Sequence, residues 1–83
     1  MYQKLPSLTG RQLIRLLEKD GFYKVRQTKH GQGLAKDLPD GRKVVTVIPI
    51  KRGELTIGTL KAILKQSQIN VEKLNKLIEE HGK

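Results

Sequence analysis

Lys43-Val44-Val45-Thr46-Val47-Ile48, stopped by Pro49, is the strongest strand signal in this 83-residue chain, and the turn that feeds it is Leu38-Pro39-Asp40-Gly41. Pro39 presets φ and Gly41 supplies a left-handed position, so the chain reverses and the preceding segment lies antiparallel to the strand. Upstream, a weaker strand is predicted over His30–Lys36, with His30, Gln32, Leu34 and Lys36 on one parity and Gly31, Gly33 and Ala35 on the other. Before it, Phe22-Tyr23-Lys24-Val25-Arg26-Gln27 is aromatic and β-branched and too short for a helix. Alternation groups Tyr23, Val25 and Gln27 against Phe22, Lys24 and Arg26. The three segments make an antiparallel meander.

Helices flank it on both sides. Thr9-Gly10-Arg11-Gln12 has the form of a capping box, and Leu8 with Leu13 fits a hydrophobic staple. A helix over about 10–20 follows, with Leu13, Ile14, Leu16 and Leu17 as its apolar stripe and Gly21 as its stop. Phe22 is placed to fold back onto this helix as part of its cap. Downstream, Thr56 caps a second helix whose apolar face is Ile57, Leu60, Ile63 and Leu64, while Lys61 and Lys65 share another face. Asn70 caps a short last helix carrying Val71, Leu74, Leu77 and Ile78. The expected class is α+β: a three-stranded antiparallel sheet with two main helices on one face, in an α-β-β-β-α order like that of double-stranded-RNA-binding domains. One domain over residues 1–83, with its core at about 8–78, accounts for the whole chain.

Composition narrows the function. The 17 basic and 8 acidic residues give a net charge of +9. Residues 21–65 hold ten cations against three acids, so +7 of that excess lies in the middle of the chain. A polyanion, most often nucleic acid, is the expected partner. There is no cysteine, and the two histidines, His30 and His81, lie far apart, so no metal centre and no cofactor are expected. No apolar run reaches the ~20 residues of a spanning helix, and Met1–Pro6 lacks a signal-peptide core; a cytoplasmic protein with no membrane association is expected. Tyr2, Phe22 and Tyr23 are too few for a base-stacking platform.

The candidate site is Arg26-Gln27-Thr28-Lys29-His30-Gly31-Gln32-Gly33, where one imidazole sits among cations and glycines. Its glycines fit either a bulge or the close approach of a ligand. From the residues alone His30 reads first as an exposed polar residue at a strand end, and second as a proton carrier beside bound phosphate. His81 lies in a polar tail, and Gly58 is read as letting the second helix start close to the sheet.

Taken in order, several segments resemble the HicA toxins of bacterial and archaeal toxin-antitoxin systems. They are Leu13-Ile14-Arg15-Leu16-Leu17-Glu18-Lys19-Asp20-Gly21-Phe22, then Val25-Arg26-Gln27 to His30, then Val45-Thr46-Val47-Ile48-Pro49. The strongest is Glu54 to Gln66, which is similar to the family's helix-opening Gly-Thr-Leu signature at Gly58-Thr59-Leu60. The resemblance implies an mRNA interferase of double-stranded-RNA-binding-like fold, with His30 at the position of the catalytic histidine and a HicB-type antitoxin as partner. Thr28-Lys29 stands where the family usually has Gly-Ser, and the segment from His30 to Pro39-Asp40-Gly41 is longer than usual.

RNA cleavage without metal requires a deprotonated 2′-oxygen, an offset phosphate charge and a protonated leaving oxygen. Histidine suits either proton transfer because imidazole ordinarily titrates near ~6.5. Lys29 and a cation from Arg26, Lys51 or Arg52 would carry the phosphorane charge, and Lys61 and Lys65 are further candidates for RNA contact. Two other readings stand beside this one: a non-catalytic RNA- or DNA-binding module of the same fold, and a protein-interaction module.

Overall fold

In the computed structural model, residues 5–83 are described, so Tyr2 lies outside the described residues. The elements follow the order α1 (Gly10–Lys19), β1 (Tyr23–Thr28), β2 (Gly31–Asp37), β3 (Lys43–Ile48), α2 (Ile57–Ser67) and α3 (Val71–His81). The strands form one antiparallel sheet in the order β1-β2-β3. Leu34, Val44, Thr46 and Ile48 point to the helices and are buried, whereas Val45 and Val47 point the other way and are 53% and 42% exposed. The expected α+β arrangement, with one covered and one open sheet face, is what the chain adopts.

Local signals act where the sequence places them. Thr9 Oγ1 accepts from the Gln12 amide (3.2 Å) and Gln12 Oε1 accepts from the Thr9 amide (2.9 Å), so both halves of the capping box form. At the other end of α1, Gly21 takes φ 105°, its N–H donates to Glu18 O, and Phe22 N–H donates to Leu17 O (3.0 Å). These are the two bonds of a Schellman motif, and they turn Phe22 back into the core, where it is 4% exposed.

The alternation expected for β1 does not survive along its length. Lys24 pairs with Leu34 but Arg26 pairs with Gly33, leaving Val25 as an extra residue in a β-bulge. Gly33 makes the bulge possible, because a Cβ there would lie 2.9 Å from Arg26 O and 3.3 Å from Val25 Cγ2. Past the bulge every side chain changes face: Gln27 joins Lys24 on the helix side, and Arg26 joins Tyr23 on the open side. Gln32 holds the distortion in place, its Nε2 donating to Arg26 O (3.3 Å) and Gly33 O (3.0 Å).

The core is aliphatic: Leu8, Leu13, Leu16, Leu17, Leu34, Ile48 and Leu60 at its centre, with Leu74 and Leu77 contributed by α3. The last helix, expected as a short addition, is 11 residues long like α2 and packs against α1. Asp20 bonds Lys36 of β2 (2.9 Å) and lies 3.5 Å from Lys73 of α3, fastening both to the end of α1. Ile57, expected on the buried stripe of α2, is the first residue of the helix and is 64% exposed.

The end of α2 stores removable strain. Gln68 takes φ 57° while its N–H donates to Lys65 O and Ile69 N–H to Leu64 O, a Schellman ending with a side chain in the left-handed position. Gln68→Gly is expected to stabilise the fold by about 0.5–1 kcal/mol, read as a rise in thermal midpoint of roughly 2–8 °C.

Candidate nucleic-acid interface

His30 sits at the tip of the β1–β2 hairpin, in the Lys29-His30 turn between the paired residues Thr28 and Gly31. The Thr28 hydroxyl spans this tip, accepting from the His30 amide (3.1 Å) and donating to Gly31 O (3.4 Å). It fixes the backbone from which the imidazole projects. Among the described residues that imidazole has no hydrogen-bond or ion-pair partner, and the residue is exposed.

Two glycines bring other chain segments to the tip. Gly10 lies so close to Pro49 that a Cβ would run into the Pro49 carbonyl oxygen, so the first turn of α1 rests directly on the exit of β3. Gly31, at φ 141°, lies against the Ile48 carbonyl and Pro49 Cα in the same way. Both close approaches converge on Ile48-Pro49. The loop beyond is then pinned to the start of α1 by Leu55 N–H donating to Leu8 O (2.7 Å) and by a bridge between Thr9 and Glu54. The result is a recess at the hairpin tip lined by Arg11, Thr28, Lys29, His30, Gly31 and Lys51. Adjoining recesses extend it to Arg52 on one side and along α1 and β1 to Arg15 and Lys24 on the other. Backbone approach at Gly31 and the bulge at Gly33 account for these two glycines.

Charge is sorted along the sheet. At the end away from His30 the carboxylates are engaged: Asp20 with Lys36 and Lys73, Asp37 with Lys43, Asp40 with Arg42. Around His30, none of Arg11, Arg15, Lys24, Lys29, Lys51 or Arg52 has an ion pair among the described residues. Their field adds to that of the α1 N-terminus, which has no acidic residue in its first turn. A bound phosphate would find several uncommitted donors beside one imidazole.

A family model for the HicA toxin of bacterial toxin-antitoxin systems matches residues 10–69, from the first residue of α1 through the sheet and α2. The chain belongs to the HicA toxin family. Comparisons with curated proteins and with solved structures gave no match. The matched span contains every residue of the His30 recess and stops short of α3. Membership in a toxin-antitoxin family implies an antitoxin as partner of this HicA chain.

Of the candidates taken from the sequence, Lys29 and Lys51 line the recess with His30, and Arg52 lines the next one. Arg26 is turned by the bulge to the open face, and Lys61 and Lys65, exposed on α2, line none of these recesses. Arg11 was not among them, although it borders all three. Its signal is present: Arg11 and Arg15 stand four apart on α1, off the Leu13-Leu16-Leu17 stripe, with the same spacing as Lys61 and Lys65. Gly58 has no atom of the described residues within 4 Å of where a Cβ would stand, so it does not serve close packing on the sheet.

Proposed function

We propose that this chain is the toxin of a type II toxin-antitoxin pair, a metal-independent mRNA endoribonuclease that uses His30 and is silenced by a HicB-type antitoxin. The observation that supports this most is the placement of an exposed imidazole in one recess with Arg11, Lys29 and Lys51, three cations free of carboxylates among the described residues. His30 takes the proton of a ribose 2′-hydroxyl as that oxygen bonds to the adjacent phosphorus. The bond from phosphorus to the 5′-oxygen breaks, leaving a 2′,3′-cyclic phosphate on one fragment and, once the 5′-oxygen has gained a proton, a 5′-hydroxyl on the other. That second proton comes from water or from Lys29, and the reverse assignment, with His30 as the acid, uses the same geometry. The cations offset the charge that builds on the phosphorane oxygens.

The purified protein is expected to cut a defined transcript without added metal, giving cyclic-phosphate and 5′-hydroxyl ends, and to stop on titration with its antitoxin. An acidic antitoxin surface would cover the same cations that hold RNA. A transcript that is bound but never cut would instead favour a non-catalytic RNA-binding module of this fold.

Arg11 offers a sharper test, because its two effects have opposite signs. A cation in the first turn of a helix opposes the macrodipole, and a carboxylate there is favoured. Arg11→Glu is expected to stabilise the fold by about 0.3–1 kcal/mol in thermal denaturation. The same variant should lose RNA affinity by about tenfold or more at low salt, because a phosphate contact becomes a repulsion.

A further inference from the structure

Beside the His30 recess, and sharing Arg11, Gln27 and Ile50 with it, a second recess of about 290 Å³ runs between α1 and β1. That is near the lower end of the range for small-molecule pockets, roughly 300 Å³, and suits one planar group better than an enclosed ligand. Ile14 and Ile50 are its apolar lining; the rest is polar and includes the cross-strand pair Gln27 and Gln32. Arg11, Arg15 and Lys24 stand around it, and Glu18 also borders it.

Gln32 is the unusual member. It is 7% exposed, and its Nε2 donates to two backbone carbonyls, Arg26 O and Gly33 O. Because both partners are acceptors, the amide can face them only with its nitrogen, which fixes where the oxygen goes. Among the described residues no donor reaches Gln32 Oε1, and no buried side-chain oxygen lacks a partner. Oε1 is therefore not fully buried, and it belongs to a side chain that borders the recess and whose amide is oriented by its two bonds at the bulge. An amide acceptor of fixed orientation, two isoleucine side chains and cations without ion pairs among the described residues, all bordering one largely polar recess, match the parts of a nucleotide: an N–H on a base edge, a base face and a phosphate. Gln32 lies two residues along the chain from His30, about 7 Å of strand, comparable to the step between neighbouring nucleotides in an extended strand.

We infer that this recess seats one unpaired nucleobase next to the phosphate presented to His30, with Gln32 Oε1 accepting from an N–H of that base. Arg11 and Arg15 hold the flanking backbone, and the Glu18 carboxylate disfavours a phosphate beside it, so the base enters the recess and the backbone follows the arginines. The substrate class is then single-stranded RNA, selected at one position beside the cut. This rests on the ribonuclease reading for the cleavage step but not for the binding step.

The experiment uses short single-stranded RNAs carrying one cleavage site, with the nucleotide on either side of the cut intact, abasic, or bearing a base without its edge amine. Cleavage is followed with the wild-type chain and binding with the His30→Ala protein. An abasic residue on one side only should lower both by about tenfold or more, and Gln32→Met should lose the discrimination between intact and amine-free bases. Because Gln32 also braces the bulge, that variant is read alongside its melting curve; if it fails to fold, the RNA substitutions decide with the unaltered side chain. Equal cleavage and binding of abasic and intact RNA would overturn the seat while leaving the ribonuclease reading intact. Base-dependent binding in a protein that cuts nothing would do the reverse.

Discussion

His30→Ala is expected to abolish measurable cleavage, lowering the rate by about 10²–10⁴-fold, while changing folding stability by less than about 0.5 kcal/mol. The two halves of that result come from one fact: the imidazole is exposed and has no partner among the described residues, so the fold loses nothing when it is removed. The hairpin tip is held by the Thr28 hydroxyl and by the backbone of residue 30, which alanine keeps. RNA binding should persist because the cations of the recess are untouched. His81 supplies the control. It ends α3, 3.9 Å from Glu80, and borders none of the recesses around His30, so His81→Ala should cut as the wild type does. Rates, transcript binding and melting curves for the three proteins settle it. Equal cleavage by wild type and His30→Ala would remove the histidine from the mechanism.

Much of the fold was legible in the residues because local chemistry and tertiary packing agree. Thr9 and Gln12 make the box their spacing announces, Gly21 and Phe22 make the helix ending, and Pro39-Asp40-Gly41 reverses the chain where expected. A bulge was legible as one of two readings of the glycines, but its place in β1 was not, because a period of two carries no mark of where one residue is skipped. Its cause is non-local in the alternation of β1: the missing Cβ of Gly33 on the neighbouring strand leaves room for Val25. One skipped residue then exchanged the roles of Arg26 and Gln27. The site was half legible for a related reason. His30, Lys29, Lys51 and Arg52 stood out as basic runs, but nothing in the local sequence says that Gly10 will rest on Pro49 and carry Arg11 to the hairpin tip. Two glycines read as a helix start and a loose strand are the contacts that assemble the surface.

The same substitution, glycine to alanine, should therefore have opposite results at two positions. At Gly58, in α2 with nothing within 4 Å of the new Cβ, alanine is expected to stabilise by about 0.5–1 kcal/mol through helix propensity. At Gly31 it meets two independent penalties. A φ of 141° is a region that side chains rarely adopt, which costs about 1–3 kcal/mol. The new methyl would also run into the Ile48 carbonyl and lie 3.0 Å from Pro49 Cα, which are backbone atoms that no rotamer change can clear. The Ile48 side chain is fully buried, so β3 cannot retreat without opening the core, and the hairpin must move instead. We expect a loss of about 3–5 kcal/mol for Gly31→Ala, a large part of the stability of a domain this size. Gly41→Ala separates the two penalties, since Gly41 has φ 89° but open space around it and should lose only about 1 kcal/mol. If Gly31→Ala melts within 1 kcal/mol of Gly41→Ala, the contact with Ile48-Pro49 is not what seats the hairpin. If the larger loss is found and the protein still folds in the cold, cleavage should remain low even there, because the displaced hairpin carries His30 away from Arg11 and Lys51.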